Sequence, residues 1–429
     1  MKSLRRCFVF AIFLLSFLIG TSSKLFAMKK EKEGTKLRLS KLKLFERFKS
    51  KNKFNLKHDG VKAISKCGNY VVSGDNEGPE VIVFYVKNGK QKCSYNHSDT
   101  DADCSVFCVL FSGDGNYVAS GSIDGEIIVF DMKNNEKKCL YWMGASVSCM
   151  SFSNNGNDIA SGSVDGEVIV FDIERNEKKC SYWCRNENKM DVSCVSLSRD
   201  CNYVISGFKS GFNVEVIVYD IKMKKEKFFY KGAGNAFFVS FLGEKCEHFV
   251  LGNKSILRVF DVKYGQKKYS YRVRCSSICG VLSKCCNYFA SGSYRGKVAV
   301  FDIKKNRLKF SYEYGNSPVR NVCLSNNNNY IVSGSGFKGR TVIVFDLIGN
   351  KKSCLYRHID RVMDCCFSKD GSRLVSVSED GQVIVHETSS EFYHSNNIYE
   401  NKKKQNKLVK QNLKKMAKNF SDVKILLKK

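Results

Sequence analysis

Residues Ala119–Asp131 read ASGSIDGEIIVFD, and the same pattern returns almost unchanged as ASGSVDGEVIVFD at Ala160–Asp172. Weaker copies end at Asp220, Asp261 and Asp302. A further copy ends at Asp346, the first copy ends at Phe84-Tyr85, and the last ends at His386-Glu387. The chain therefore contains eight units with a base period of 41 residues and occasional insertions, which is typical of a repeat architecture.

Each unit resolves into four short strands, most clearly at 105–112, 117–122, 126–132 and 137–142. Asp-Gly pairs at Asp114-Gly115 and Asp124-Gly125 stand where tight hairpins need a left-handed residue. The third strand is nearly all β-branched or aromatic, as expected for a strand that is buried on both faces. One four-stranded sheet cannot hide both faces alone, so the repeats predict an all-β ring of stacked sheets, an eight-bladed β-propeller of four-stranded antiparallel blades.

The units resemble WD40 repeats over residues 53–388. The resemblance is carried by Phe111-Ser-Gly-Asp-Gly115, by Phe367-Ser-Lys-Asp-Gly371 and by the Ser-Gly-Ser-x-Asp-Gly turns. The Trp-Asp pair of the family has become Phe-Asp in five units and Tyr-Asp in one. Its Gly-His pair is missing, although His58, His97 and His358 stand near the equivalent place, and apolar packing is expected to replace most of the family's buried polar network.

The ring is predicted to close through its N-terminal strand. The eighth unit lacks a convincing fourth strand before the sequence turns polar near Ser389. Residues 53–58 match residues 352–358 in content, so we expect them to complete the eighth blade and to cover its open edge.

The excess positive charge lies mainly in the two tails. The chain carries a formal charge of +29, of which residues 1–56 hold +12 and residues 389–429 hold +8. In the C-terminal tail, apolar residues step by three and four positions, as in an amphipathic helix. They are Val409, Leu413, Met416, Phe420, Val423 and Leu427. This basic tail, residues 389–429, could lie on an anionic membrane, pair with another helix, fold back onto the propeller or stay disordered.

The N-terminus has the order of a secretory signal. Lys2, Arg5 and Arg6 precede an apolar run over residues 7–20, and small residues follow near Ala27. The sequence thus predicts a signal peptide over 1–27, a basic linker over 28–52 and an exported protein, secreted or periplasmic. The alternative is an uncleaved anchor, with the propeller tethered to a membrane and its basic tail on anionic lipid.

The motifs that suggest chemistry have simpler explanations. Gly334–Gly339 spells GxGxxG but lies between two strands with no helix after it, so a long hairpin turn is expected. Eight of the 20 cysteines recur at two positions of the repeat, so most of the cysteines are expected to fill the core, and the sequence leaves open whether any form disulfides. No catalytic residue, cofactor site or metal site is predicted. The enzyme alternative, a quinone-cofactor propeller, needs a regular tryptophan motif, whereas the chain has only Trp142 and Trp183.

The resemblance implies a non-catalytic protein–protein interaction scaffold that binds a protein or peptide on the face around its central channel. Charges in the predicted loops of that face segregate, with acidic residues on blades 1 and 2 and basic ones on blades 5 to 8. The candidate partner-binding residues are Asp99, Asp101, Asp103, Arg274, Arg295, Lys338, Arg357 and Arg361. Nucleic acid is judged an unlikely partner, because the positive charge is not interleaved with a stacking surface.

Overall fold

A computed structural model describes residues 48–388, apart from gaps at 59, 98–103, 186–189, 211–212, 234–235, 243–245, 254–255, 273–276, 284–286, 304 and 337–338. Secondary structure in these residues consists of strands alone. The predicted signal segment, most of the predicted linker and the basic tail lie outside the described residues.

Thirty-two strands build the described part of the chain. The first strand and blades 1 to 3 comprise β1 (Phe48–Asn55), β2 (Lys62–Ile64), β3 (Tyr70–Gly74), β4 (Glu80–Tyr85), β5 (Gln91–Asn96), β6 (Val106–Phe111), β7 (Tyr117–Ser122), β8 (Glu126–Asp131), β9 (Glu136–Trp142), β10 (Val147–Phe152), β11 (Asp158–Ser163), β12 (Glu167–Asp172) and β13 (Glu177–Trp183). Blades 4 to 6 comprise β14 (Asp191–Leu197), β15 (Tyr203–Ser210), β16 (Asn213–Asp220), β17 (Lys225–Ala233), β18 (Ala236–Leu242), β19 (His248–Asn253), β20 (Ile256–Asp261), β21 (Lys267–Arg272), β22 (Ser277–Leu282), β23 (Tyr288–Ser293), β24 (Lys297–Asp302) and β25 (Arg307–Glu313). Blades 7 and 8 comprise β26 (Val319–Leu324), β27 (Tyr330–Ser335), β28 (Thr341–Asp346), β29 (Lys351–Arg357), β30 (Val362–Phe367), β31 (Arg373–Ser378) and β32 (Gln382–Thr388).

The strands form eight four-stranded antiparallel sheets, which confirms the eight-bladed propeller. In blades 1 to 7 the sheet order follows the chain, whereas the eighth sheet has the order β1-β32-β31-β30. The first strands of successive blades contact one another around the ring, and β30 contacts β2. The N-terminal strand closes the ring as predicted, but it begins at Phe48 and ends at Asn55.

Blades pack through a glycine and a valine that repeat around the ring. In blade 3, a methyl group added to Gly162 of the Ser-Gly-Ser motif would lie 2.4 Å from Cγ1 of Val192, on the first strand of blade 4. The glycine therefore leaves the space that the next blade's valine fills. The same pairing joins Gly74 to Val106, Gly121 to Val147, Gly292 to Val319, and Gly334 to Val362.

Aromatic stacking explains why phenylalanine serves where the WD40 pattern has tryptophan. The rings of Tyr141 in β9 and Phe171 in β12 stack across the interface of blades 2 and 3, with centroids 4.3 Å apart and planes 5° apart. Tyr95 and Phe130 stack in the same way one interface earlier, at 4.6 Å. The adjoining aspartate ends the strand and holds the next turn, since Asp172 accepts from the Arg175 amide at 3.0 Å.

The interfaces also retain a polar bond that the sequence analysis did not expect. The Tyr182 hydroxyl donates to Ser206 Oγ, the first serine of the next blade's motif, at 3.0 Å. Equivalent tyrosine–serine pairs are Tyr95 with Ser120, Tyr141 with Ser161, Tyr312 with Ser333, and Tyr356 with Ser376. Apolar packing is thus joined at these five interfaces by a tyrosine–serine hydrogen bond, and histidine adds a second contact to the same serine at Ser120 and Ser376.

The seam between blades 8 and 1 carries its own polar contacts. Asp364 Oδ2 accepts from the Ile64 amide at 3.0 Å, and Asp364 Oδ1 accepts from Asn321 Nδ2 of blade 7 at 2.7 Å. The buried Lys62 ammonium donates to the carbonyl oxygen of Glu379 at 2.9 Å. The Leu56 amide donates to Gly381 O in blade 8. In blade 7 the His358 amide makes the equivalent bond to Arg340 O, so Leu56 occupies the backbone position in blade 8 that His358 occupies in blade 7.

The Asp364 contacts predict an unusual pH dependence. Desolvation between the blades raises the pKa of Asp364 to about 6, although two backbone amides favour its charged form. The folded chain holds this proton more tightly than the unfolded chain, so the stabilisation is complete at low pH and is lost as the pH rises through 6. On going from pH 7.5 to 5, the wild type should therefore gain about 1 kcal/mol in the free energy of unfolding relative to Asp364→Asn.

Urea denaturation of both proteins at the two pH values measures this difference in the free energy of unfolding. The part of the pH dependence that both proteins share comes from all the other titratable groups. His358 is one of those, because burial lowers its pKa to about 4 and acid must destabilise the fold through it. An Asp364→Asn protein whose pH dependence equals that of the wild type would contradict the assignment.

Candidate functional site

The two faces of the propeller follow from the strand order. Because all four strands of a blade are antiparallel, the turns between second and third strands lie at the same end as the loops that join one blade to the next. We call this end the top face. The turns that join the first strand to the second, and the third to the fourth, lie on the bottom face. WD40-like propellers are expected to bind through the top face, where loops held by a rigid scaffold present their side chains to a partner.

Large apolar side chains lie exposed on the top face of blades 2 and 3. We call them the apolar patch, and they are Phe107, Ile123, Trp142, Val164 and Trp183, each 38–50 % exposed. Trp142 and Trp183 are the last residues of their outer strands. A cluster of exposed apolar groups on one face of a folded protein is typical of a protein-binding surface.

Backbone hydrogen bonds hold two of the turns of the apolar patch beside neighbouring segments of the chain. The Ile123 amide donates to Ser105 O at 3.0 Å, which holds the turn of blade 2 beside the start of β6, where Phe107 lies. The Val164 amide donates to Ser146 O at 3.0 Å, which holds the turn of blade 3 against the loop that follows Trp142. The apolar patch therefore runs across the boundary between two neighbouring blades.

The structure describes three of the eight residues predicted to bind a partner. Arg295 lies exposed in the top-face turn of blade 6, and Arg357 and Arg361 flank the loop between blades 7 and 8. Arg361 forms an ion pair with Glu379 of its own blade. Asp99, Asp101, Asp103, Arg274 and Lys338 lie outside the described residues. Arg357 and Arg361 are thus brought together, while Arg295 belongs to another blade, and a role for any of them in binding stays a prediction.

A second charged surface, which the sequence analysis did not single out, lies where the outer strands of blades 4 to 6 begin. We call it the basic edge, and it consists of Lys224, Lys225, Lys227, Lys263, Lys267, Lys268, Arg307 and Lys309, all exposed. Aromatic rings lie among these cations. Tyr264 is 65 % exposed and has the Lys263 ammonium 4.9 Å from its ring centre, and Lys309 lies 4.0 Å from the ring centre of Tyr288. Two tyrosine rings thus lie beside lysines of this edge.

The described cysteines are free thiols. On the first strands, Cys108, Cys149, Cys194 and Cys279 each pair across the sheet with a motif glycine. Burial raises the pKa of Cys108, Cys194 and Cys279 to about 12. Thiols held protonated at neutral pH are poor nucleophiles, so these cysteines act as small core side chains.

Comparison with known proteins agrees with this architecture. The sequence family described as WD domain, G-beta repeat matches residues 89–131, 137–172, 307–346 and 349–387. Among solved structures, the C-terminal WD40 domain of Sif2 superposes with a TM-score of 0.67 at 14 % identity, over 80 % of this chain and 99 % of that one. The computationally designed Ika8 protein superposes with a TM-score of 0.64 at 23 % identity, over 78 % and 98 %.

Curated relatives are named U3 small nucleolar RNA-associated protein 15 homolog. The Xenopus tropicalis protein is 31 % identical over 178 residues, which cover 40 % of this chain and 34 % of the relative. The Bos taurus protein is 36 % identical over 115 residues, which cover 26 % and 21 %. The chain spans between 21 % and 38 % of the length of the curated relatives it matches.

These relatives correct four predictions. A secretory signal over 1–27, export or membrane anchoring, and a partnership with anionic lipid are contradicted, because an exported protein would be separated from the nucleolar RNA that their name contains. The judgement that nucleic acid is an unlikely partner is wrong for the same reason. It relied on the lack of stacking groups, whereas the basic edge places tyrosines among its lysines. Within the described residues no helix is long and apolar enough to cross a membrane.

Proposed function

We propose that this chain, four segments of which match the family described as WD domain, G-beta repeat, is a non-catalytic scaffold in an RNA–protein assembly and that its apolar patch binds a protein partner there. The observation that carries the proposal is the exposure of two tryptophans and a phenylalanine on one face of adjoining blades. Moving an exposed aromatic side chain out of water and into an interface is favourable, and aromatic residues supply much of the binding energy at protein interfaces.

The setting of the patch supports the same function. The patch rests on the third strands β8 and β12, in which all six residues are buried. A surface on so rigid a support loses little conformational entropy when a partner binds. The non-catalytic part of the proposal is supported by the first-strand thiols of Cys108 and Cys279, because burial raises their pKa and leaves them poor nucleophiles.

The RNA side of the proposal is supported by the basic edge and by the names of the relatives. Lysines and arginines that follow one edge attract the phosphate backbone, and exposed rings accept unstacked bases. The basic edge lies on the bottom side of blades 4 to 6, whereas the apolar patch lies on top of blades 2 and 3. A protein and an RNA could therefore be held by one propeller without competing for the same surface.

The test is affinity purification of the tagged full chain from its own cells, with the bound proteins and small nucleolar RNA measured. The triple variant Phe107→Ser, Trp142→Ser, Trp183→Ser should recover its main protein partner about tenfold less well than the wild type. The control triple variant is Tyr85→Ser, Ile348→Ser, Leu355→Ser, which removes side chains of similar exposure from blades 1 and 7, away from both the apolar patch and the basic edge, and should behave as the wild type.

Two results would count against the proposal. Equal recovery of proteins by the patch variant and the control would show that the protein partner does not bind through the apolar patch. A wild-type chain that recovers no small nucleolar RNA and no protein that binds it would reject the RNA–protein assembly itself.

A further inference from the structure

Three metal-ligating side chains lie buried together between blades 1 and 2. They are His97, which follows the outer strand of blade 1, Cys104, which precedes the first strand of blade 2, and Glu126, which begins β8. Their exposed fractions are 1 %, 2 % and 0 %. Each offers one ligand atom, and these atoms all lie within 4.8 Å of one another.

We propose that His97, Cys104 and Glu126 bind one zinc ion that fastens blade 1 to blade 2. Imidazole nitrogen, thiolate sulfur and carboxylate oxygen are the ligand atoms that Zn²⁺ takes in proteins, and three protein ligands with one water complete a tetrahedron. A neutral imidazole, a thiolate and a carboxylate together carry two negative charges, which a dication balances. The site lies outside the apolar patch and does not depend on the proposed function.

The geometry needs only a small adjustment to accept the ion. Ligand atoms at zinc–nitrogen and zinc–sulfur bond lengths lie roughly 3.5 Å apart in a tetrahedron. In the structure, His97 Nδ1 lies 2.7 Å from Glu126 Oε2, and the widest separation in the cluster is at most 4.8 Å. The distance between His97 Nδ1 and Glu126 Oε2 must increase, and the widest separation between ligand atoms must shorten, each by about 1 Å. Rotation of the side chains is enough for changes of this size.

The opposite side of the imidazole already has the support that a ligating histidine needs. His97 Nε2 lies 2.8 Å from Ser120 Oγ, and Ser120 Oγ accepts from the Tyr95 hydroxyl at 3.0 Å. When Nε2 carries the proton and donates it to Ser120, Nδ1 presents its lone pair to the cluster. An outer hydrogen bond of this kind fixes the tautomer and the ring orientation of metal-bound histidines.

The next interface provides a natural comparison. Met143 follows the outer strand of blade 2 as His97 follows that of blade 1, and Ala145 precedes β10 as Cys104 precedes β6. The carboxylate is kept there as Glu167, at the start of β12. Blades 2 and 3 thus pack in the same way without two of the three ligands, so those two residues are not required for blade packing. Their presence together at one interface is what points to the ion.

The experiment measures zinc binding to the purified full chain after exhaustive dialysis against a chelator. Titration with Zn²⁺ should show one equivalent that is missing from the double variant His97→Met, Cys104→Ala, which carries the residues of the next interface. Cys104→Ala alone should weaken that equivalent at least about tenfold, since changes even outside the ligand set cost this much. Co²⁺ at the same site should give a thiolate-to-cobalt charge-transfer absorption that both variants lack.

Cys139→Ala is the control, because Cys139 is as buried as Cys104 but lies on the outer strand of blade 2. It should keep both the zinc equivalent and the cobalt absorption. Equal zinc binding by the wild type and the double variant would overturn the proposal, as would loss of the cobalt absorption in Cys139→Ala. A zinc-free double variant that unfolds at the temperature of the zinc-free wild type shows that the fold is intact.

Discussion

A chain that begins at residue 57 is expected to unfold about 7 °C below a chain that begins at residue 48, or to fail to fold cooperatively. The difference between them is β1, which pairs with β32 and completes blade 8. Without it, β32 becomes an open edge, and the interface of blades 8 and 1 loses the buried Leu56 and the partly buried Phe54. Two such side chains and the lost backbone bonds amount to roughly 5 kcal/mol, which corresponds to this shift in a domain of this size.

Thermal unfolding followed by circular dichroism measures the two midpoints. A point variant gives the same comparison without truncation, since Leu56→Asp places a charge in the interface while Lys57→Ser changes its exposed neighbour. Leu56→Asp should destabilise as strongly as the truncation, and Lys57→Ser should not. A chain from residue 57 that melts with the chain from residue 48 would mean that β1 does not close the ring.

The second large effect concerns the glycine that admits the next blade. Gly162→Ala should lower the free energy of unfolding by about 3 kcal/mol, because the added methyl group meets Val192 Cγ1 at 2.4 Å and Cys149 Sγ at 3.1 Å. Gly162 has no left-handed backbone angle, so the cost comes from packing alone. Gly144→Ala is the control, since the nearest atom to its added methyl group is 3.8 Å away.

A double-mutant cycle assigns the cost to the two blades. Val192→Ala alone leaves a cavity and should cost about 2 kcal/mol. The double variant Gly162→Ala, Val192→Ala should be more stable than the sum of the single effects predicts, by at least about 1 kcal/mol, because the second change makes room for the first. Chemical denaturation of the four proteins supplies the numbers, and strict additivity would show that the two residues do not meet.

Most of the fold could be predicted because each repeat carries the residue pattern of its own four strands and of the turns between them. The strands expected for blade 2 at 117–122 and 126–132 agree with β7 and β8 to within one residue. Turns with glycine or asparagine and strands with β-branched residues leave few alternatives at this period. The exact closing strand was harder to predict, because Leu56 and not His58 takes the backbone position, and only the pairing with β32 decides between them.

The surfaces were less predictable, because they depend on which strand edges meet. Ile123 and Val164 occupy a turn position that is usually polar, and this was a signal available in the sequence. That the neighbouring Trp142 points outward while Tyr141 points inward follows only from the packing of blade 2 on blade 3. The zinc ligands come from two blades, so no local spacing marks them. The predicted export was wrong because it relied only on the order of basic and apolar residues at the N-terminus, and that order alone does not determine where a protein is located.

Closure by β1 also determines when the propeller ring can close while the chain is being synthesised. The partner of β1 begins at Gln382, so the ribosome must add roughly 330 residues after Asn55 before the two strands can meet. At about 5 to 20 residues per second this takes on the order of half a minute. Throughout that time blade 1 has no neighbour on its open side, and the nascent chain offers two unpaired edges to any other strand. Molecular chaperones that hold the emerging N-terminal segment would therefore raise the yield of closed rings without changing the stability of the finished one.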